Sequence, residues 1–239
     1  GIATREDLKN LANLVRGRNI AVFCDEPYDQ MAWTGQHHSL LAEEGMMDQC
    51  VAAYTFSKSF SMSGWRLGFT VSSPAIAQLI AKLTNTALSC VPPFVQMAGV
   101  AALQNDLEER DKNMATFRQK VEFLSTQLDA LPDINCLTPG GSFYVFPDVS
   151  AICHRYNITS HGLAMYLLQA ADDEFGVACL GGECFGEAGG GFLRFSCAEP
   201  DEKLQEALDF LPQAFERQDR IEAFLAENSQ YQLKEPYQV

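Results

Sequence analysis

The segment TFSKSFSMSGWRLGF, residues 55–69, places two cationic side chains close together in the chain. Lys58 stands among hydroxyl and small side chains, and Arg66 follows eight residues later. A lysine amine can act as a nucleophile and carry protons, and a planar guanidinium presents a fork of donors to phosphate oxygens. A carboxylate, that of Asp25, follows an apolar run at residues 20–24. These residues are the first candidates for chemistry.

Asp25 and Lys58 both follow segments that are predicted to be strands. Residues 20–24 form a continuous apolar run, which is typical of a strand buried on both faces of a parallel sheet. Residues 51–56 predict a second strand and residues 67–71 a third. Because ligands bind at the carboxyl ends of parallel strands, Asp25 and Lys58 are expected to face one crevice. Taken singly, each also fits a plainer interpretation, as a turn cap and as an exposed loop lysine.

Helices are predicted around these strands. Thr4 and Asp7 predict the cap and first turn of a helix that stops at Gly17. Residues 94–131 are predicted to be helical, with a long helix that ends near Pro132 and leads out of the first domain.

The remainder predicts a smaller domain that mixes strands and helices, with a polar tail from about Glu227 that is expected to be partly disordered. Its predicted strands and helices are two strands around a Pro-Gly-Gly turn in residues 134–149, helices at 163–171 and 201–216, and strands at 177–180 and 192–198.

These elements predict an α/β fold. Residues 1–95 are expected to hold a mostly parallel sheet with flanking helices, residues 96–131 a connecting long helix, and residues 132–239 a smaller α+β domain. A length of 239 residues and an apolar content of 47% are sufficient for a true core.

The composition argues against several partners. A net charge of −14 without clustered Lys and Arg disfavours a nucleic-acid surface. No apolar run approaches the roughly 20 residues that span a bilayer, and the first ten residues lack the apolar core of a signal peptide. The expected location is the cytoplasm, without membrane contact.

The cysteines and histidines do not predict a metal site. The eight cysteines form no CxxC pair and several lie in apolar runs, so buried reduced thiols are expected. The four histidines show no HxxxH or HExxH spacing, so they are expected to be surface or hydrogen-bonded residues.

Two segments carry a family resemblance. DEPYDQMAW at 25–33 and TFSKSFSMSGWRLGF at 55–69 resemble the signature segments of class I/II aminotransferases, pyridoxal-phosphate enzymes of fold type I, and aspartate aminotransferases in particular. One departure is Thr55, where the family usually has Ser or Gly. FLRFSCAEP at 192–200 resembles the family's substrate-arginine strand, and GGSFYVFPDVS at 140–150 the hairpin before it.

The resemblance assigns a role to each polar residue of the first two segments. It implies that Lys58 forms a Schiff base with pyridoxal 5′-phosphate and then carries a proton during the reaction. It implies that Asp25 pairs with the pyridine nitrogen, which keeps the cofactor an effective electron sink. Tyr28 would donate to the phenolic oxygen of the cofactor and help to lower the pKa of the Schiff base.

The phosphate and the substrate have their own candidates. Arg66 is implied to bind the cofactor phosphate with the hydroxyls of Thr55 and Ser57, and Gly64 and Gly68 are expected to let the backbone approach closely. Arg194 is implied to bind the α-carboxylate of the substrate. The alternative for Arg194 is a structural salt bridge to one of the many acidic residues.

The resemblance covers only the second half of the family's fold. Because GIATREDL resembles the segment after an Asn-Pro-x-Gly turn, the chain is expected to be a C-terminal portion of a longer enzyme, a homodimer in its complete form. The implied reaction moves an amino group from an L-amino acid, with aspartate favoured, to a 2-oxo acid. A carbon–sulfur lyase of the same fold and a catalytically incompetent truncated chain remain alternatives.

Overall fold

The computed structural model describes residues 1–237, which divide into two units. Unit 1 comprises residues 1–116 and 140–142, and unit 2 comprises residues 117–139 together with the chain from residue 143 onward. The domain limits predicted from the sequence stay a prediction.

Unit 1 is built on a three-stranded sheet with the order β1-β2-β3. Strands β1 and β2 are parallel, with Asp25 opposite Ala53, and β2 and β3 are antiparallel, with Thr55 opposite Gly68. The elements of unit 1 are α1 Arg5–Val15, β1 Val22–Asp25, β2 Cys50–Thr55, β3 Gly68–Val71, α2 Pro74–Leu88, α3 Pro93–Asn105 and the first part of α4 Leu107–Asp129.

Helix α1 confirms the first predicted helix and its cap. The hydroxyl of Thr4 accepts a hydrogen bond from the backbone N–H of Asp7, and the Asp7 carboxylate accepts one from the Thr4 backbone N–H. This reciprocal arrangement satisfies donors that the first helical turn leaves without partners. The helix ends at Val15, just before Gly17, whose φ of +74° breaks helical geometry.

Strand β1 is buried on one face only, so the prediction of a strand buried on both faces is wrong. Val22 and Cys24 pack against the cluster formed by α1 and Cys50, whereas the side chain of Phe23 between them is 67% exposed. Alternate side chains of a strand point to opposite faces, and only the α1 face is covered by described residues.

Two helices occupy the segment that was predicted to be helical. Helix α3 ends at Asn105, and α4 begins at Leu107 and ends at Asp129, shortly before Pro132 as expected. The division between the two units falls within α4.

Residues 140–142 belong to unit 1, and their carbonyl groups accept hydrogen bonds from the segment after β1. The Trp33 backbone N–H donates to the Gly140 carbonyl at 2.7 Å, and its indole N–H donates to the Ser142 carbonyl at 2.6 Å.

Unit 2 surrounds a second sheet, with the order β4-β6-β5 and antiparallel pairing throughout. The strands around the Pro-Gly-Gly turn are shorter than predicted, since they are reduced to β4 and a single bridge between Asn135 and Asp148. The elements of unit 2 are β4 Tyr144–Val145, α5 Ser150–Tyr156, α6 Ser160–Gln169, β5 Leu180–Gly181, β6 Leu193–Ser196, α7 Asp201–Glu216 and α8 Gln218–Glu227.

The tail is ordered through Tyr237, so the expectation of disorder is wrong for residues 228–237. The Leu233 backbone N–H donates to the Asn157 carbonyl at 2.9 Å, and Gln232 forms a bridge with Ile158. These contacts use backbone groups and the side chain of Tyr237, so the polar composition of the tail did not predict them. Residues 238 and 239 lie outside the described residues.

The thiols follow the expectation only in part. All eight cysteines are free, with Cys50, Cys136, Cys153 and Cys197 buried and Cys90 and Cys184 exposed. Within residues 1–237 no group of His, Cys, Asp and Glu side chains could hold a metal ion, and no helix is long and apolar enough to cross a membrane.

Candidate active site

The loop that carries Lys58 is anchored by apolar residues. Phe56, Met62 and Leu67 are buried in one cluster with Val95 of α3, and the Phe56 backbone N–H donates to the Leu67 carbonyl at 3.1 Å, which closes the base of the loop. Ser59, which lies between these apolar residues, is also buried, whereas Ser57 and Lys58 are half-buried. Because the buried residues on either side of Lys58 anchor the loop, they fix the position of its backbone.

Lys58 and Tyr28 lie close together, although they come from separate segments. The Lys58 Nζ lies 5.7 Å from the centroid of the Tyr28 ring. Lys58 is half-buried, and Tyr28 begins a turn in which the Met31 backbone N–H donates to the Tyr28 carbonyl at 2.8 Å. An amine beside a phenol is a pair that can hold and exchange a proton.

Asp25 is the last residue of β1, at the carboxyl end of the sheet. Its neighbour Glu26 continues the pairing, since the Glu26 backbone N–H donates to the Ala53 carbonyl at 2.9 Å. Within residues 1–237 the Asp25 carboxylate forms no ion pair, and the residue is exposed. The carboxylate can therefore accept a donor from a ligand.

Glu26 lies next to the candidate site. The sequence did not predict that its carboxylate is the centre of a hydrogen-bond network. Its carboxylate accepts from the Tyr54 hydroxyl at 2.6 Å and from the Ser39 hydroxyl at 2.9 Å, and lies 2.9 Å from His37 Nε2. Burial and the bond to Glu26 raise the pKa of Tyr54 to about 12. This network fixes the turn between Asp25 and Tyr28, and its partners, spread over distant positions, leave no sequence pattern.

Thr55 and Ser57 form a small hydroxyl pair at the end of β2. The Thr55 hydroxyl donates to Ser57 Oγ at 2.8 Å and accepts from the Ser57 backbone N–H at 3.0 Å. Both residues are half-buried. Their mutual bonds hold the chain immediately before Lys58.

Arg66 is exposed and takes an unusual backbone conformation. Its φ is 54°, in the left-handed region, and its Nη1 donates to the Ser63 carbonyl at 2.7 Å. Ser61, in the same loop, also has a φ of 54°. Non-glycine residues in this region are uncommon and cluster at functional loops. Among residues 1–237 no carboxylate pairs with Arg66, so the remaining guanidinium donors can receive an anion.

Gly68 shows close backbone approach, whereas Gly64 does not. A Cβ at Gly68 would lie 2.6 Å from the Tyr54 carbonyl oxygen, so a side chain there would disrupt the pairing of β2 and β3. The described residues place nothing within 4 Å of a Cβ at Gly64. Gly68 is therefore closely packed against β2 and Gly64 is not, and the expected approach of the backbone to a phosphate at these two glycines stays a prediction.

Arg194 belongs to β6 of unit 2 and is held by aromatic rings. Its Cζ lies 4.2 Å from the centroid of the Tyr144 ring and 4.6 Å from that of Phe185. No carboxylate in the described part of the chain forms an ion pair with it, which argues against the structural salt bridge. Cation–π contacts leave the in-plane N–H donors of a guanidinium for a carboxylate ligand.

The structure thus groups the candidates by unit. Unit 1 contains Lys58 beside Tyr28, with the remaining candidates at the carboxyl end of its sheet and in the adjoining loop, namely Asp25, Thr55, Ser57 and Arg66. Arg194 lies in unit 2.

Comparisons with known proteins identify relatives over most of the chain. Residues 1–211 match the family described as aminotransferase class I and II. The aspartate aminotransferase of Pyrococcus horikoshii is 31% identical over 217 residues, which are 89% of this chain and 52% of that protein. The chain spans about half the length of the curated relatives it matches.

Solved structures show the same similarity. Apo-BacF from Bacillus subtilis aligns with a TM-score of 0.80 and 25% identity, over 89% of this chain and 55% of that one. Cystalysin from Treponema denticola, whose structure contains pyridoxal 5′-phosphate, aligns with a TM-score of 0.77 over 88% of this chain and 53% of that one. At 17% identity the second match shows the fold alone.

Proposed function

Because this chain belongs to the aminotransferase class I and II family, we propose that it forms part of a pyridoxal-phosphate-dependent aminotransferase. The family match and the structural relatives confirm the resemblance and the α/β fold class expected from the sequence. The proposed reaction moves an amino group from an L-amino acid, with aspartate favoured, to a 2-oxo acid. The observation that carries it is the Lys58 amine beside the Tyr28 ring, in the loop after a sheet whose carboxyl end holds Asp25.

The side chains of unit 1 fit pyridoxal 5′-phosphate by their chemistry. When bound, this cofactor withdraws electrons from the α-carbon of an amino acid. An amine suits its aldehyde, a carboxylate without an ion pair suits a protonated ring nitrogen, and a guanidinium without a carboxylate partner suits its phosphate. Lys58, Asp25 and Arg66 supply these three groups.

Each residue then has a defined task. Lys58 Nζ is the attachment point and, once released, the base that moves a proton. Asp25 accepts the hydrogen bond of the ring N–H, and Tyr28 donates to the phenolic oxygen. Arg66 binds phosphate oxygens.

Two hydroxyls and a second arginine complete the assignment. Thr55 and Ser57, which already hold each other, supply hydroxyls to the same phosphate. Arg194 presents its in-plane donors to the α-carboxylate of the amino acid.

We further propose that the chain acts within a longer, cytoplasmic, homodimeric enzyme. Support comes from the relatives, of which the chain spans about half, and from the apolar side chains that unit 1 exposes on α2. The same observations favour one second candidate, a catalytically incompetent chain. Purified alone with excess cofactor, the chain should show no transamination between aspartate and 2-oxoglutarate and should elute as large or heterogeneous species. A monodisperse, active preparation would contradict this.

The main experiment locates the attachment point. Borohydride reduction of the longer enzyme with its cofactor should fix the pyridoxyl group on the peptide that contains Lys58, and Lys58→Ala should abolish the label. Lys82→Ala, at another lysine of unit 1, is the matched control and should keep it. A label on Lys82 or on any other lysine would refute the assignment. Assaying 2-oxo acid formation with and without an amino acceptor then separates transamination from the lyase alternative.

A further inference from the structure

The C-terminal strap, residues 232–237, ends in a hydrogen-bonded cluster. The Tyr237 hydroxyl donates to Glu183 Oε1 at 2.5 Å and accepts from the Ser160 backbone N–H at 2.9 Å. The Ser160 hydroxyl donates to Glu183 Oε2 at 2.6 Å. One carboxylate therefore links the strap to the start of α6.

The strap also covers the glycine-rich loop, residues 181–191. A Cβ at Gly190 would lie 2.7 Å from Tyr237 Cε1, so the ring rests directly on the loop backbone. The Gly191 backbone N–H donates to Ser160 Oγ at 3.1 Å, and the Tyr237 backbone N–H donates to His154 Nε2 at 2.9 Å. The cluster thus holds the loop at Glu183 and again at its far end.

The same loop carries a ring that contacts the candidate substrate arginine. Phe185 lies two residues after Glu183, within one short 3-10 helix, Gly182–Phe185, and its ring centroid is 4.6 Å from Arg194 Cζ. Phe146 contacts the Phe185 ring from another side, with centroids 6.0 Å apart. A shift of the backbone at Glu183 would therefore move a ring that fixes the guanidinium.

The charge state favours this cluster at neutral pH. Burial, the largest single influence, would raise the pKa of Glu183, but the hydrogen bonds from Ser160 and Tyr237, together with those from the Glu183 and His161 backbone, lower the pKa overall. Burial and the bond to Glu183 raise the pKa of Tyr237. The stable pair is an ionised carboxylate and a neutral phenol, which is a strong charge-assisted hydrogen bond.

We propose that Tyr237, Glu183 and Ser160 are positioning residues for substrate carboxylate recognition. Through them the C-terminal strap holds the glycine-rich loop and so keeps Phe185 against Arg194. This inference rests on the proposed function, in which Arg194 binds the α-carboxylate. It adds a role for the C-terminal strap, whose Tyr237 is more than 40 residues after the arginine in sequence.

The test compares two tyrosines of the same tail. Tyr237→Phe removes a hydroxyl that bonds to Glu183, whereas Tyr231→Phe removes one that makes no hydrogen bond within residues 1–237. In the active enzyme that contains this chain, Tyr237→Phe should speed amide exchange of residues 182–191 by about tenfold, because a hydrogen bond to a charged group is lost. The KM for the amino acid should rise by about three- to tenfold, with kcat and cofactor affinity changed less than about twofold.

Two further variants keep the outcome decisive. In Gly190→Ala, the added methyl group would collide with the Tyr237 ring and displace it from the loop backbone. This variant should give the same changes in amide exchange and KM. Arg194→Lys should raise KM without changing exchange of the glycine-rich loop, because a fork of donors becomes a point charge.

The outcomes separate the two proposals. Faster exchange together with a higher KM for Tyr237→Phe, and neither for Tyr231→Phe, supports the inference. Unchanged exchange, or faster exchange with unchanged KM while Arg194→Lys raises KM, overturns it and leaves the proposed function standing. An unchanged KM for Arg194→Lys refutes the arginine assignment itself.

Discussion

The two units bury their apolar side chains to very different degrees. Helix α2 of unit 1 has no buried residue, and its Leu79, Leu83 and Leu88 are 60%, 70% and 74% exposed. Helix α6 of unit 2 buries six of its ten residues, including Leu167 with no exposed surface.

This contrast shows what each unit can stabilise by itself. Full burial of a leucine side chain contributes about 1.5–3 kcal/mol to the free energy of unfolding. Helix α6 therefore stabilises unit 2 through its buried leucines, whereas α2 contributes little of this kind to unit 1. Arg194 lies in this well-filled unit, in contact with the rings of Tyr144 and Phe185. The loop of Lys58 depends on one small cluster around Phe56, beside a large exposed apolar surface.

The largest expected effect comes from one substitution made in both units. Leu167→Ala should lower the free energy of unfolding of unit 2 by about 2–5 kcal/mol, because it leaves a cavity in a filled core. Leu83→Ala should change the free energy of unfolding of unit 1 by less than about 0.5 kcal/mol, since the side chain is mostly in water. Urea unfolding with peptide-resolved hydrogen exchange measures both, and similar costs would show that the comparison is wrong.

A smaller effect is expected on self-association. The double variant Leu79→Lys and Leu83→Lys should raise the concentration at which the chain associates by roughly tenfold or more, because it breaks the apolar surface of α2 with charge. Sedimentation velocity over a concentration series measures this. Leu168→Lys, at an exposed leucine of unit 2, is the control and should have little effect. Equal effects would place the associating surface elsewhere.

The smallest expected effect is on the loss of thermal stability at acid pH. The pKa of Glu183 is lowered as described, and a hydrogen bond from Arg217 lowers that of Asp172 to about 2. A lowered folded-state pKa gives stability that is present above the ordinary carboxylate pKa and lost as pH falls through the folded value. Glu183→Gln should therefore reduce the loss of Tm between pH 5 and pH 3 by roughly 2–4 °C. An unchanged loss of Tm in thermal melts would contradict the role of this carboxylate.

Much of the fold follows from local patterns in the sequence. Helix α7 occupies the predicted residues 201–216, and α1 begins at the predicted cap, because capping and helical periodicity are short-range signals. The exposed face of β1 was not predictable, since exposure of Phe23 depends on what packs above the strand. The ordered tail was missed because Tyr237 bonds to Glu183, 54 residues away.

The candidate site shows the same limit. The family resemblance of residues 25–33 and 55–69 predicted Lys58, Asp25 and Tyr28 as site residues, and the structure places Lys58 beside Tyr28. The Glu26 network and the rings around Arg194 could not be inferred, because both depend on the spatial approach of segments that share no pattern. The catalytic role of Lys58 and the substrate-binding role of Arg194 stay predictions until the lysine labelling and the arginine variant are measured.

The position of the tryptophans has a spectroscopic consequence. The chain has two, Trp33 and Trp65, and both belong to unit 1. The Trp33 indole donates to the Ser142 carbonyl, and Trp65 is 48% exposed in the loop of Lys58. Selectively excited tryptophan emission is therefore an optical reporter of unit 1 alone, and unit 2 can unfold without changing it directly. A melting curve recorded by fluorescence would follow unit 1, whereas one recorded by far-UV circular dichroism would follow the helices of both units.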